Sequence, residues 1–425
     1  MSAATEVLSS CPPSPISVEA ARARMLQAVA GQQPAQTERL ALLSALGRVL
    51  AEDLTAPVDV PPYDNSAMDG FAFRGDALVA GAETRLRVVG QVLAGHPFKA
   101  EVAPGTCVRI MTGAMMPMGT DTVVPFERCD LQADALRIGA DTLRPGDNRR
   151  RQGEDLACGA VALAAGRRLR PADLGLAASL GLTHLQVRRR LRVALFSSGD
   201  ELCSPGEPLN PGCLYDSNRI TLGAALTQLG CEVLDLGRVP DDPGALDAVL
   251  RQAIDQADAV LTSGGVSVGD ADHTRALLAR HGQVAFWSVA MRPGRPFAFG
   301  RLERADGPPC WLFALPGNPV AALVSFQVLA RDVVLALAGA RENAVPMLGA
   351  RCAEPIRKRP GRSEFPRVLL TQGADGQPHA QALGAQGSAA LSALVGAQGL
   401  AVLQPQQGDV GIGEWMDVLP FEGLC

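Results

Sequence analysis

The chain is 425 residues long, enough for several domains at roughly 100–200 residues each, so its cores need no disulfide or metal staple. Its 47% hydrophobic and 20% charged residues match the globular average and exclude a mostly disordered chain. A net charge of −5 excludes nucleic-acid binding by bulk charge.

Aromatic residues make up only 4%, while 45 glycines and 31 prolines favour turns and short strands over a helical bundle. Lys99 and Lys358 are the sole lysines, so nearly every cation is a planar, forked guanidinium. The ten cysteines show no C-x-x-C pair or metal-finger spacing and read as small buried hydrophobes of a reducing compartment. Met1–Pro15 has neither the basic start nor the apolar core of a secretory leader. No apolar run approaches the ~18 residues of a membrane span, the longest lying near Val333–Ala340. The expected setting is the cytoplasm, away from membranes.

Ser17–Ala30 reads as a helix capped by Ser17, with Ala20, Met25 and Val29 on one face. Leu40, Leu43, Leu46, Leu50 and Leu54 repeat at helical spacing and predict a second helix before Pro57. From there to about Asp147, the runs Leu86–Val92, Thr106–Met111 and Thr122–Phe126 alternate with glycine-rich turns and predict a β-rich module. Arg149–Arg151 and Arg188–Arg190 bracket a segment with the apolar run Leu174–Leu182 and suggest a chain crossing between domains. Over residues 191–340, strand-like runs (Val193–Phe196, Glu232–Leu236, Ala259–Leu261, Val284–Val289, Trp311–Leu315) alternate with helical patterns, which predicts a parallel α/β sheet. After Pro346 short β runs return as a closing domain.

Parallel α/β sheets bind ligands beyond the carboxyl ends of their strands. Ser197-Ser198-Gly199-Asp200-Glu201 offers hydroxyls, glycine amides and two carboxylates to an anion or Mg²⁺, or else is a turn with an Asp cap. The run 262–272 is richer. Ser263, Gly264, Gly265 and Ser267 suit close backbone approach to a phosphate, and Asp270 and Asp272 suit a bridging metal or a helix cap. In Met291-Arg292-Pro293-Gly294-Arg295-Pro296, two prolines stiffen a loop that aims Arg292 and Arg295, either at an oxyanion or into solvent. Leu315-Pro316-Gly317-Asn318-Pro319 is explained largely by Asn318 as cap and Pro319 as first helical residue. Gly265–Gly269 matches G-x-S-x-G. Gly264-Gly265 already ends the strand, however, and Gly269–Asp272 delays the helix, which argues against a serine hydrolase. No G-x-x-x-x-G-K-[ST] is present, so a P-loop nucleotidase is excluded.

Six motifs stand in order: Asp64-Asn65-Ser66-Ala67-Met68-Asp69-Gly70, Arg109-Ile110-Met111-Thr112-Gly113, Arg151-Gln152-Gly153-Glu154-Asp155, Ser198-Gly199-Asp200-Glu201-Leu202, Ser263–Gly269 and Leu315–Pro319. With them the chain resembles the molybdopterin molybdenumtransferase (MoeA) family, which includes the E domain of gephyrin, from about Ser17 to Leu419. The resemblance implies a multi-domain α/β plus β architecture. Its parts are an elongated helical/β domain (1–55 and 149–190), an inserted β-rich domain (56–148), a central parallel α/β domain similar to molybdopterin adenylyltransferases (191–345) and a C-terminal β domain (346–425). It also implies a homodimer whose active site is shared between subunits. The reaction implied takes adenylated molybdopterin and molybdate to molybdenum cofactor and AMP, with Mg²⁺; a molybdopterin adenylyltransferase and apo-molybdoenzymes are the implied partners.

By resemblance, Glu201, Asp241 and Asp272 handle the metal and pyrophosphate. Asp69, Thr112 and Asp155 reach the site from the inserted domain, Arg367 and Ser388 hold the oxyanion, and Pro316 and Pro319 shape the wall. The chain departs from the family at Ser288 and Arg292, where lysine is common. Arg292 keeps the charge and Ser288 removes one, so Arg292 or Arg295 is expected to compensate. Three alternatives remain: a tungstate-selective paralogue, a scaffold or interaction protein, and an adenylyltransferase acting one step earlier.

Overall fold

The computed structural model describes residues 15–264, 277–341, 345–384 and 386–421. Gly265, Ser267, Asp270 and Asp272 therefore lie outside the described residues. Six strands form the central sheet, in the order Glu232–Val239, Arg192–Ser198, Ala259–Ser263, Cys310–Leu315, Pro296–Leu302, Gly282–Ser288. The first four are mutually parallel, and Pro296–Leu302 runs antiparallel to both its neighbours. The expectation of a parallel sheet is thus corrected at one strand. The connections 289–295 and 303–309 are too short for the crossover that a parallel neighbour requires.

The run Val193–Phe196 is apolar throughout because both faces of the sheet are covered. Val193 and Leu195 enter one core with Leu222 and Leu226 of the helix Ser217–Gln228, whereas Ala194 and Phe196 meet Leu250 and Ile254 of Pro243–Gln256 on the other side. Pro319 starts a continuous helical run to Leu337, widened to a π turn at Phe326–Ala330. This run corrects the sequence estimate of apolar length: it is 19 residues with a mean hydropathy of 1.9. Seventy-two per cent of its apolar window is buried inside the protein, most of it in the first core, which accounts for its composition without a bilayer. The same core holds an aromatic row, with Trp287 to Phe299 at 6.2 Å and Phe299 to Trp311 at 5.4 Å between ring centroids.

The helix Val18–Ala28 is capped by Ser17, whose Oγ accepts from Ala20 N at 3.1 Å. Its Ala21 and Met25 are buried in the central core, and Arg22 is ion-paired to Asp332 of the long helix. It packs on the α/β unit, although the resemblance groups it with residues 149–190. The helix expected across Leu40–Leu54 does not form. Thr37–Ala41 is a strand paired antiparallel with His184–Arg188, Leu42–Ala45 makes one tight turn, and Gly47 sits at φ +73°. Leu43 is 88% exposed, so the leucine spacing marks no buried helical face. Pairing with a distant strand overrides the local pattern.

The β-rich module is a six-stranded sheet ordered Thr122–Pro125, Gly70–Phe73, Thr106–Ile110, Thr84–Val92, Ala135–Ile138, Cys129–Gln132. The closing domain is a five-stranded closed barrel from Leu348–Cys352 to Trp415–Pro420. In the basic run 188–190, Arg189 forks onto both oxygens of Asp258 at 2.7 and 2.8 Å, anchoring the chain where it enters the central sheet.

Phe299→Ala should lower the unfolding free energy by about 3–5 kcal/mol, because it empties the middle of the aromatic row. Leu43→Ser should change it by less than about 0.5 kcal/mol. Urea denaturation followed by tryptophan fluorescence distinguishes the two.

Candidate active site

Strand register sets Ser197 beside Ser263 and Ser263 beside Leu315, so the loops after these three strands open on one edge of the sheet. A cleft of about 630 Å³ lies there, lined by Ser198, Gly199, Glu201, Asp241, Ser263, Gly264 and Pro316–Pro319, among others. Gly264 has φ +95°, and a Cβ on it would stand 2.4 Å from Ser198 O. Glycine is the residue this approach allows.

Beneath the cleft the loops are wired together. The Asn218 amide nitrogen donates to Ser263 Oγ at 2.7 Å and to Gly317 O at 2.6 Å, and Ser263 Oγ donates to Pro316 O at 3.1 Å. Ser197 Oγ donates to Asp216 Oδ1 at 3.1 Å, the same oxygen accepts from Arg219 N at 3.1 Å, and the Arg219 guanidinium pairs with Asp216 at 3.2 Å. Ser263 thus spends its hydroxyl on the wire, and Asp216, 2% exposed, caps the helix Ser217–Gln228. Asp216 and Asn218 lie at the start of the helix, ahead of its apolar residues Leu222 and Leu226, so periodicity does not single them out. An acidic cap ahead of Ser217-Asn218 was the available signal. The expected side-chain cap at Asn318 is absent; its backbone carbonyl accepts from Ala322 N, while its side chain makes no cap hydrogen bond.

Glu201 and Asp241 stand exposed on the cleft wall. The Glu201 carboxylate folds back over Gly199, whose added Cβ would lie 2.6 Å from Glu201 Oε2. With Asp272 outside the described residues, no group of three metal-holding side chains forms among those described. The pair still presents hard oxygen donors, the set that suits Mg²⁺.

A second cluster forms on the inserted module. Asp69 Oδ1 accepts from Thr112 N at 2.7 Å and Thr112 Oγ1 at 2.8 Å, and these two bonds, the backbone one first, hold the Asp69 carboxyl below its ordinary range. Arg149–Arg150 pairs with Asn65–Ser66, Gly113 N donates to Ser66 O at 2.8 Å, and Gln152 N donates to Asp64 Oδ1 at 2.7 Å. Three separate motifs thereby meet around one short strand, with Asp155 exposed at the end of the third. None of the residues lining the cleft comes from this cluster.

Arg292 is 61% exposed and lies 4.0 Å from Glu364. Arg295 Nε donates to Ser288 Oγ at 2.8 Å, so the hydroxyl at 288 holds a guanidinium in place. Arg367 is fully buried at the start of a barrel strand, and burial pushes its pKa down. It does not line the cleft. Ser388 O accepts from Val320 N at 3.0 Å, and Ala389 reaches the cleft, so a barrel loop closes one side of it. Burial raises the thiols of Cys107, Cys231 and Cys310 to about 12, which makes them inert packing groups.

Fold and cleft define an α/β ligand-binding protein whose carboxyl-edge loops suit an anionic ligand with a hard cation. The chain belongs to the molybdopterin molybdenumtransferase (MoeA) family. Residues 16–181 match the MoeA N-terminal region (domain I and II), 194–336 a probable molybdopterin binding domain and 349–421 the MoeA C-terminal region (domain IV). A molybdopterin molybdenumtransferase of Haemophilus influenzae is 42% identical over 96% of this chain and 99% of its own length. One from Synechococcus elongatus is 37% identical over 93% and 97%. A molybdopterin biosynthesis MoeA protein structure from Pyrococcus horikoshii OT3 superposes with a TM-score of 0.79 at 26% identity, covering 96% of this chain and all of that one.

The lowered pKa of Asp69 means that its ionised form supports the Thr112 contacts at neutral pH and loses them as pH falls through the folded value. Thr112→Val removes the hydroxyl donor and should move the Asp69 pKa upward, measured by carboxylate carbon NMR titration. An unmoved pKa would leave the backbone N–H as the whole cause.

Proposed function

We propose that the chain inserts molybdate into adenylated molybdopterin, releasing AMP and giving molybdenum cofactor. The observation that carries this reading is the meeting of Glu201, Asp241 and the Gly264 turn in one cleft at the sheet's carboxyl edge. Breaking a phosphoanhydride leaves negative charge on the departing phosphate, which must be met by cations and hydrogen-bond donors. Glu201 and Asp241 are the residues that would hold Mg²⁺, and the bound ion would neutralise phosphate charge there. The first turn of Ser217–Gln228 opens on the cleft and turns the positive end of its dipole toward an anion. Arg295, steadied by Ser288, supplies charge on the neighbouring loop for a dianion such as molybdate.

The Asp69–Thr112 cluster has no counterpart in the lining of the cleft, which supports a homodimer in which one subunit's cluster completes its partner's cleft. The substrate's chemistry calls for an adenylyltransferase before this step and apo-molybdoenzymes after it. The cytoplasm is where such partners would meet.

Purified protein with Mg²⁺ and adenylated molybdopterin should release AMP in a molybdate-dependent manner, and the product should activate an apo-molybdoenzyme. A well-folded preparation that releases none would favour the scaffold reading, and a tungstate arm reads metal selectivity. Glu201→Gln and Asp69→Asn should each lower the rate by about a hundredfold. Coexpressed as a mixed dimer, the two variants should recover activity, since one shared site then keeps both carboxylates; failure to recover would place both in one subunit's site. Ser288→Lys should give no marked gain, because Arg295 already fills that role.

A further inference from the structure

A second cavity, of about 740 Å³, lies between the Arg292 loop and the barrel segment 357–364, lined by Arg292, Arg357, Lys358, Arg359 and Arg362 together with Glu364 and Asp409. Five cations face two carboxylates in a chain whose net charge is −5. Both carboxylates are engaged. Glu364 Oε1 accepts from Arg362 Nε at 3.1 Å and Glu364 also faces Arg292, while Asp409 Oδ1 accepts from Lys358 N at 2.7 Å. Arg357 and Arg359 are exposed and have no carboxylate partner among the described residues. Lys358 is 5% exposed; its ammonium rests on Gln407 O at 2.8 Å and Arg359 O at 3.4 Å.

Like charges this close ordinarily separate by moving the chain that carries them. Here the segment is held at both ends. Ile356 and Val410 exchange backbone hydrogen bonds at 2.9 Å, Glu364 and Leu403 exchange them at 3.0 Å, and Gly361 N donates to Pro405 O at 2.7 Å. Ser363 N to Ala290 O and Phe365 N to Arg292 O, both 2.9 Å, fasten it to the α/β unit. The backbone that carries these cations is therefore held in place around one cavity, an arrangement from which an anion gains.

We propose that this cavity binds a small polyanion carrying two adjacent tetrahedral oxyanion groups, the diphosphate class, free or within a nucleotide. Guanidinium forks match phosphate oxygens two at a time, and the cavity is larger than one tetrahedral ion requires. It is separate from the 630 Å³ cleft, with which it shares no lining residue. The inference does not rest on the transfer reaction, and its test reads binding rather than turnover.

The test is isothermal titration of the full chain with sodium diphosphate, ADP and orthophosphate, in EDTA to keep divalent ions out of the main cleft, at low and at 0.5 M salt. Diphosphate should bind, weaken with salt, and lose about tenfold or more in affinity in Arg357→Ala/Arg359→Ala. Arg357→Lys/Arg359→Lys should retain part of it, which separates lost charge from lost fold. Equal affinity for ADP and diphosphate identifies the diphosphate group as what is held, and tighter ADP identifies a nucleotide; either supports the proposal. No diphosphate binding, orthophosphate binding as tightly as diphosphate, or a double alanine variant with unchanged affinity would each overturn it.

Discussion

Everything at the carboxyl edge of the central sheet depends on one buried amide. Asn218 gives both hydrogens of its side-chain nitrogen to neighbouring loops, one to Ser263 Oγ and one to Gly317 O. Ser263 passes the connection to Pro316 O, so the ends of two parallel strands and the start of a helix are fixed relative to each other. A buried donor left without its acceptor costs about 1–3 kcal/mol, so these bonds make or fail together. The Gly264 turn, pressed against Ser198 O, is the backbone counterpart of the same constraint. Glu201 and Asp241 stand on the cleft wall, while Ser197, Ser263, Asn218 and Asp216 do the structural work below them.

The second polar cluster is built on a different principle. Asp64–Gly70, Arg109–Gly113 and Arg149–Asp155 are distant in sequence, and each is short. They meet because Asn65–Ser66 pairs with Arg149–Arg150 and because Asp69 closes on Thr112. The result is a solvated carboxylate kept charged by hydrogen bonds. The cleft and this cluster thus lie on separate sheets, each ordered by its own backbone network.

Much of this was legible in the sequence. Val193–Phe196 and Ala259–Leu261 read as strands because buried strands are apolar on both faces, whereas Glu232–Leu236, at the sheet edge, leaves Glu232 and Asp235 exposed. Glycine- and carboxylate-rich loops after them located the cleft. What escaped was set by contacts rather than by local pattern. Leucines 40 to 54 carry a helical period, yet their first residues pair with His184–Arg188, and nothing near Leu40 announces that partner. Asp216 and Asn218 lie ahead of the helix's apolar stripe, where periodicity is silent. The hydroxyl of Ser263 looked like an anion ligand, and only its neighbours reveal that it is spent. The reversed strand Pro296–Leu302 is a matter of connection length, which the composition of the strand does not record.

The helix Val18–Ala28 has a consequence for how the molecule is made. It is the first described helix to leave the ribosome, yet Ala21 and Met25 bury themselves among Trp287, Val333 and Val334, residues synthesised some 300 positions later. Until then its apolar face has no native partner, while the inserted sheet between them can already close on itself. Long-range contacts of this kind are slow to form and leave apolar surface exposed in the interim. The helix Val18–Ala28 therefore docks late, once the long helix Pro319–Leu337 is in place to receive it.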